Sequence, residues 1–200
     1  MQPTPKISLK SNKTYKDKSF SSLEINNQAI SDIELYNCTI KSSDLSSSTF
    51  DKCIFEKCEF DLCNFSTSKF PNSRLIDCKF INTTLLGIDW SLLSTNIGLE
   101  LNYESCDLSY STFQNIDISN SKFLSCKLFE VDFSGTILKN VSLRKSDLER
   151  AVFKKTDLRK TDFREATNYV FKLDENKVKG AKFSQHEALN LVRMYGGIVE

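Results

Sequence analysis

The 200-residue sequence has little of what catalytic and metal sites commonly need. It contains one histidine, His186, only six glycines, which are scattered, and no C-x-x-C pair. A zinc site, a glycine-rich phosphate loop and a nucleophile–base pair therefore all lack candidate residues. We expect no catalytic residue, no cofactor and no metal, and we place His186 on the surface of a helix near the C-terminus.

The sequence also lacks a long apolar run and a substantial net charge. No apolar run could span a bilayer, and the basic segment 1–18 is followed by no apolar core, unlike a signal peptide. We expect a cytoplasmic protein that does not contact membranes. The formal net charge of +1 predicts no direct binding to nucleic acid. The seven cysteines, an odd number, need not pair in a reducing compartment.

What the sequence does have is a five-residue period. Every fifth residue is hydrophobic from Phe20 to Trp90 and again, in a shifted phase, from Tyr103 to Phe163. Neither a helix nor a single strand places residues five apart on one face. A fixed short period is instead typical of a solenoid, in which stacked coils bury the repeated side chains.

A second inward position lies two residues before each large hydrophobic residue. It mostly holds small residues, and all seven cysteines occupy it. Because free cysteine is among the most often buried residue types, we interpret the cysteines as packing residues and not as a metal or redox cluster. The predicted core stack includes Phe50, Cys53, Phe55, Cys58, Phe60, Cys63, Phe65, Cys78, Cys106 and Cys126.

This pattern resembles the pentapeptide-repeat proteins, whose loose consensus is A(D/N)LXX. Close matches are Ser146-Asp147-Leu148, residues 156–160 (TDLRK) and residues 161–163 (TDF). The resemblance covers residues 20–165 and implies an all-β fold, a right-handed quadrilateral β-helix with four pentapeptides per coil. Residues twenty apart would then stack, giving seven coils and a height of about 34 Å at the ordinary strand spacing.

The period divides the chain into five segments. We expect a disordered basic segment at 1–19, repeat blocks at 20–90 and 103–165, an interrupting loop at 91–102, and a C-terminal cap and dimerisation segment at 166–200. The interrupting loop is unusually apolar. It is either a joint folded back on the wall of the solenoid or a projecting contact element, since loops on rigid scaffolds often carry recognition.

The C-terminal segment predicts a short capping helix near 185–195. Ser184 and Glu187 have the spacing of a capping box, and Gly196-Gly197 is a stop signal. Such a helix would cover the open end of the solenoid. Its surplus apolar surface would suit a dimer with two-fold symmetry.

The C-terminal segment also resembles one subgroup of the family, the quinolone-resistance (Qnr) proteins and the microcin B17 and albicidin immunity proteins. The matching residues are 168–169, 176–184, 187–188, 191 and 198–200, and Gly87-Ile88-Asp89-Trp90 is similar to the corresponding point of the albicidin member. The resemblance implies a homodimer joined through the C-terminal segments. It also implies binding to DNA gyrase or topoisomerase IV, with loops engaging the enzyme.

Under this resemblance, the protein protects a type II topoisomerase from quinolone-type drugs or gyrase-targeting toxins. Partial DNA mimicry would contribute, because residues 20–138 hold sixteen acidic and eight basic residues. The expected topoisomerase-contact residues are Leu92, Leu93, Asn96, Ile97, Leu99 and Glu100. The expected dimer interface is Phe183, Ala188, Leu191, Val192, Tyr195, Ile198 and Val199. The alternative is a structural or adaptor module that binds another protein.

Overall fold

The chain forms a parallel β-solenoid. The structure, a computed structural model, describes residues 9–94 and 99–198. Its strands wind through about eight turns and end in one short helix, which confirms the expected β-helix with a C-terminal capping helix. Within the described residues, no helix is long and apolar enough to cross a membrane.

The strands are two or three residues long, because the chain turns after every five residues. In chain order they are β1 (Thr14–Lys16), β2 (Ser19–Ser21), β3 (Ala29–Ser31), β4 (Glu34–Tyr36), β5 (Thr39–Lys41), β6 (Thr49–Asp51), β7 (Ile54–Glu56), β8 (Glu59–Asp61), β9 (Arg74–Ile76), β10 (Lys79–Ile81), β11 (Asn102–Glu104), β12 (Lys122–Leu124), β13 (Asp162–Phe163) and β14 (Lys182–Phe183). A 3-10 helix spans Trp90–Leu92, and helix α1 spans Gln185–Met194.

Each strand pairs in parallel with the strand one coil later. Wall 1 consists of β1, β4, β7 and β9 and continues beyond the interruption as single bridges from Asp117 to Ile137, Asp157 and Lys177. Wall 2 consists of β2, β5, β8, β10, β11 and β12. The step between partners is twenty residues within each block, so four five-residue units make one coil.

The coil turns at a residue in the left-handed backbone region, two positions after each large inward residue. Lys52, Leu62 and Lys160, for example, have φ values of 54°, 55° and 60°. This conformation costs a residue other than glycine about 1–2 kcal/mol. The corner N–H donates to a carbonyl of the next coil, as Leu62 N does to the carbonyl oxygen of Ile81 at 3.1 Å. The backbone polar groups at the corners are therefore satisfied despite the strain.

Stacked aromatic rings fill the interior. One column runs through Phe60, Phe80, Tyr103 and Phe123 with ring centroids 4.8, 5.2 and 4.9 Å apart. All ten residues of the predicted core stack are buried: Phe50, Cys53, Phe55, Cys58, Phe60, Cys63, Phe65, Cys78, Cys106 and Cys126. The large and small inward positions therefore interdigitate in one continuous core.

The solenoid begins earlier than the sequence predicts. Leu9 is buried and β1 pairs with β4, so the expectation of a disordered segment over 1–19 is wrong for residues 9–19. The segment is basic, but it contributes an apolar residue and an edge strand that the next coil pairs with. Residues 1–8 lie outside the described residues.

The solenoid also ends later than the predicted boundary at 165. Strand β14 pairs with β13 twenty residues earlier, and Phe183 stacks on Phe163 at 5.3 Å. Between them the five-residue period fails, because Tyr169 and Phe171 are both buried in place of one inward residue. The first part of the C-terminal segment is therefore the last coil of the solenoid and not a separate cap. Because the solenoid is longer than expected at both ends, it has more than the seven expected turns.

Candidate binding surfaces

The cysteine columns are packing features and not a reactive site. The Cys63 thiol donates to the carbonyl oxygens of Ile40 and Asp61, both at 3.4 Å, and burial raises the pKa of Cys63 to about 11. The thiolate form of Cys63, which a metal or an oxidant would need, is therefore suppressed. All seven cysteines are free and buried. Within residues 9–94 and 99–198, no group of three or more His, Cys, Asp or Glu side chains could hold a metal ion.

The interruption is a joint in wall 1 with three extra residues. In the adjacent wall 2, Phe80 consequently pairs with Tyr103, twenty-three residues on, where every other step in wall 2 is twenty. The Asp89 carboxylate accepts from the N–H of Ser91 at 3.0 Å and caps the 3-10 helix. The chain thus leaves the regular coil through a hydrogen-bonded 3-10 turn that begins at the buried Trp90.

The expected topoisomerase-contact residues divide between the interior and the surface. Leu93 and Leu99 are buried, with 4% and 3% of their surface exposed, so their assignment to a contact surface is wrong. They fill inward positions on either side of the interruption, as the neighbouring coils require. Leu92 is 39% exposed and Glu100 is exposed. Asn96 and Ile97 lie outside the described residues.

The C-terminal cap satisfies the backbone of the last coil. A corner N–H normally donates to the next coil, and the last corners have no complete coil beyond them. The Ser184 hydroxyl accepts from the N–H of Glu165 at 2.7 Å, and the Glu187 carboxylate accepts from the N–H of Asn168 at 3.1 Å. The predicted capping box of Ser184 and Glu187 is therefore wrong, since Ser184 makes no side-chain cap bond to α1. Both side chains bind the solenoid end instead.

Helix α1 packs one face on the solenoid and leaves another face apolar and open. Leu191 is buried, so its assignment to a dimer interface is wrong; Ala188 is half-buried, and Phe183 is half-buried against the core. The exposed apolar residues at this end are Val192, Met194, Tyr195 and Ile198, with Ile198 89% exposed. Val199 lies outside the described residues. His186 is exposed on the helix, in the place expected for it.

Tyr195 fixes the end of α1 in place. Its hydroxyl accepts from the N–H of Leu173 at 2.9 Å and donates to the carboxylate of Asp174. The sequence gives no signal for these bonds, because the partners lie more than twenty residues apart in an irregular part of the last coil. The open apolar face is consequently held in a defined position.

Several charges on the walls are paired between neighbouring coils. Lys41 lies 3.6 Å from Asp61, and Arg150 lies 2.9 Å from Glu130. At the C-terminal end of wall 1 the pattern differs, because Lys139, Arg159 and Lys179 follow one another at steps of twenty. These three residues, with Lys160 and Gly180, line a depression of about 380 Å³. The five-residue period alone does not bring these residues together, because they lie on both sides of the predicted boundary at 165.

Part of the sequence matches a family model, and the architecture matches solved structures. Residues 99–168 match the family model described as "Pentapeptide repeat region". The chain has the pentapeptide-repeat fold. A structure of trypsin-treated QnrB1, a plasmid-mediated fluoroquinolone resistance protein, shares this pentapeptide-repeat architecture with a TM-score of 0.66 and 16% identity, over 91% of this chain and 100% of that chain.

A second structure of trypsin-treated QnrB1 gives a TM-score of 0.63 and 14% identity, over 96% of this chain and 100% of that chain. At these identities the similarity shows a shared pentapeptide-repeat fold. No curated protein matches the sequence.

Proposed function

We propose that this pentapeptide-repeat protein binds a type II topoisomerase, DNA gyrase or topoisomerase IV, and protects it from quinolone-type drugs or gyrase-targeting toxins. The observation that supports the proposal most is that three structural features occur together in one chain. An acidic rod, an interruption in wall 1 and an apolar C-terminal face occur in a solenoid that matches a fluoroquinolone resistance protein along that protein's whole length.

The acidic coils would occupy part of the enzyme's DNA-binding groove. Carboxylates such as Asp51, Glu59 and Asp61 lie at outward positions of β6 and β8, because the inward positions are taken by phenylalanine and cysteine. Rows of negative charge on a rigid rod attract the basic groove that holds DNA. The mimicry is partial, since lysines such as Lys41 neutralise some of these carboxylates.

The interruption would supply the contact that is specific to the enzyme. Leu92 and Glu100 flank it at the surface, and Asn96 and Ile97 belong to the same segment. Loops on a rigid scaffold are well suited to recognition. Because Leu93 and Leu99 anchor both ends in the core, changes between them should alter binding with little effect on the fold.

The apolar face of the C-terminal end would join two copies into a longer rod. Val192 and Tyr195 are 48% and 54% exposed, and Ile198 is almost fully exposed. A contiguous apolar surface at the end of a rod suits an isologous contact around a two-fold axis.

Sedimentation equilibrium should give the mass of a dimer. Val192→Asp with Ile198→Asp should give a monomer, and the control Leu62→Asp, at an exposed leucine of the repeat body, should leave the dimer intact.

The test of function is gyrase supercoiling in the presence of a fluoroquinolone, with this protein titrated in. Restored supercoiling at micromolar protein supports the proposal. Leu92→Asp should weaken the rescue, whereas Leu62→Asp, which also places a charge at an exposed leucine, should not. Deleting residues 95–97 restores a twenty-residue step and should abolish rescue with little change in melting temperature.

Two outcomes would contradict parts of this account. Full rescue by the deletion variant would remove the interruption from the contact surface. The absence of both rescue and gyrase binding by the unmodified protein would overturn topoisomerase protection, and would favour an adaptor that binds another protein through the same rigid walls.

A further inference from the structure

The C-terminal end of wall 1 carries an unusual concentration of cations. We define the basic surface as Lys139, Arg159, Lys160, Lys177 and Lys179, all of which are exposed. Lys139, Arg159 and Lys179 occupy the same position in three consecutive coils. At the ordinary strand spacing their backbones are about 4.8 Å apart per step, so the column extends over roughly 10 Å.

The basic surface differs from those positions of the solenoid where a cation faces a carboxylate in the adjacent coil. Lys127, for example, lies 3.6 Å from Asp107, and Lys79 lies 3.3 Å from Glu104. Like charges directly opposite each other in a β-ladder are destabilising. Lys139, Arg159 and Lys179, stacked at the same position of three consecutive coils, therefore repel one another, and an anionic ligand would relieve that repulsion.

Little on this surface neutralises the cations. The carboxylate of Asp157 binds the Arg159 guanidinium, with N–O distances of 2.8 and 3.0 Å from Nε, and this contact lowers the pKa of Asp157. Asp157 also lies opposite Lys177 in the ladder, and the Lys177 charge helps to lower the pKa of Asp157. Among residues 9–94 and 99–198, no carboxylate forms a direct ion pair with any of the four lysines. Gly180 at the corner beside Lys160 has no side chain, and a Cβ there would meet Lys160 Cγ at 3.4 Å. The depression beside the lysines is therefore open.

Helix α1 leaves the basic surface free. Its hydrogen bonds to the solenoid go to Glu165 and Asn168 at the start of α1, and to Leu173 and Asp174 at its end. None of these bonds involves a residue of the basic surface. The exposed apolar face consists of Val192, Met194, Tyr195 and Ile198, so the two surfaces are formed by different residues.

We propose that the basic surface binds the sugar–phosphate backbone of duplex DNA. Four lysine ammonium groups and one guanidinium on a straight, rigid wall provide charge and hydrogen-bond donors, which is what sequence-independent phosphate binding requires. The depression is lined by no aromatic ring on which an unpaired base could stack. It also lacks the aromatic or large apolar anchor around which protein–protein contacts concentrate their binding energy. These absences favour duplex DNA over a single strand or an acidic protein.

The proposal revises the expectation of no direct nucleic-acid binding, which rested on the net charge of the whole chain. Net charge averages an acidic body with a basic end. A ligand bound to three coils interacts mainly with the charges of those coils. At physiological salt, the electrostatic effect of more distant charges of the protein is screened over about 8 Å.

The test is fluorescence anisotropy of a labelled 20-base-pair duplex titrated with the full-length protein at 50 mM salt. We expect a dissociation constant in the micromolar range. The affinity should fall about 100-fold between 50 and 200 mM salt, because neutralising about four phosphates releases their counterions. The assay contains no topoisomerase, so its result is independent of the proposed function.

A charge-matched pair of variants locates the site. The triple variant Lys160→Glu, Lys177→Glu and Lys179→Glu should bind at least tenfold more weakly than the unmodified protein. The control, Lys52→Glu, Lys57→Glu and Lys69→Glu, changes the net charge equally at exposed lysines of the first block and should stay within about threefold. Matching far-UV circular dichroism spectra would show that both variants fold.

Three results would overturn the proposal. The first is no anisotropy change at 50 mM salt with 100 μM protein. The second is an equal loss of affinity in the two triple variants, which would assign binding to the general charge of the molecule. The third is binding of a polyglutamate peptide that depends on the basic surface while the duplex does not bind, which would identify the partner as an acidic protein segment.

Discussion

Truncating one ring of the aromatic column measures how much the interior stabilises the solenoid. Phe60 is 2% exposed. It stacks on Phe80 at 4.8 Å and meets Phe55 and Phe65 edge-on at 5.8 and 5.2 Å. Removing a buried phenylalanine ring costs about 3–5 kcal/mol, and each aromatic pair contributes about 0.5–1.5 kcal/mol beyond burial. Because hydrogen bonds to both neighbouring coils hold β8 in place, the cavity cannot collapse, and Phe60→Ala should cost about 4–5 kcal/mol.

The assay is urea unfolding followed by the fluorescence of Trp90, the one tryptophan of the chain, which is buried 6.1 Å from Phe80. In thermal unfolding, the same loss should lower Tm by about 8–20 °C for a chain of this size. Phe129→Ala is the matched control, because Phe129 lies at an outward position under Arg150 and should cost about 1 kcal/mol or less. A loss below about 1 kcal/mol for Phe60→Ala, or equal losses for the two variants, would refute the assignment of Phe60 to a rigid core.

Three further predictions concern the thiols, the corners and the end of the solenoid. All seven cysteines are buried, so they should resist a thiol reagent at pH 8 in the native protein and react fully in guanidinium. Cys63 should be among the slowest, because burial also raises its pKa to about 11. Rapid native labelling would contradict the packing role. Leu62→Gly should raise the free energy of unfolding by up to about 1 kcal/mol, because it removes the strain of a leucine in the left-handed region with φ 55°. Gly135→Ala should lower the free energy of unfolding by about 1 kcal/mol or more, because it places a side chain at φ 69°. Urea melts that reverse the two signs would refute the strain argument. Ser184→Ala should cost about 0.5–1.5 kcal/mol, since it leaves the N–H of Glu165 without its acceptor. Unchanged stability in the same melts would contradict a stabilising role for this hydrogen bond.

The repeat body could be predicted from the sequence because one physical constraint recurs in each unit. The inward residues must be apolar at a spacing of five, so Phe50 through Phe65 and the cysteines between them identify the core. Lys52 and Leu62 show why corner residues give a weaker signal: the left-handed conformation there is imposed by the closed coil and accepts side chains that do not favour it.

The sequence predicted the interruption and the ends less well, because tertiary contacts decide those positions. Leu93 and Leu99 face inward only because the coils above and below require a filled position. Ser184 and Glu187 have the spacing of a capping box, but their side chains bind Glu165 and Asn168, which no local pattern reveals.

The basic surface was missed for a different reason. Lys139 and Arg159 were counted with the second repeat block, and Lys177 and Lys179 with the C-terminal segment. Applying the twenty-residue step across the boundary at 165 would have placed them on one wall.

The measurement that tests topoisomerase protection most directly is the amount of plasmid that gyrase leaves linear when a fluoroquinolone traps its cleavage complex. Adding this protein should lower the amount of trapped linear DNA in a dose-dependent way. Leu92→Asp should reduce the effect, whereas Leu62→Asp should not. Unchanged linear DNA at protein concentrations well above that of the enzyme would contradict topoisomerase protection.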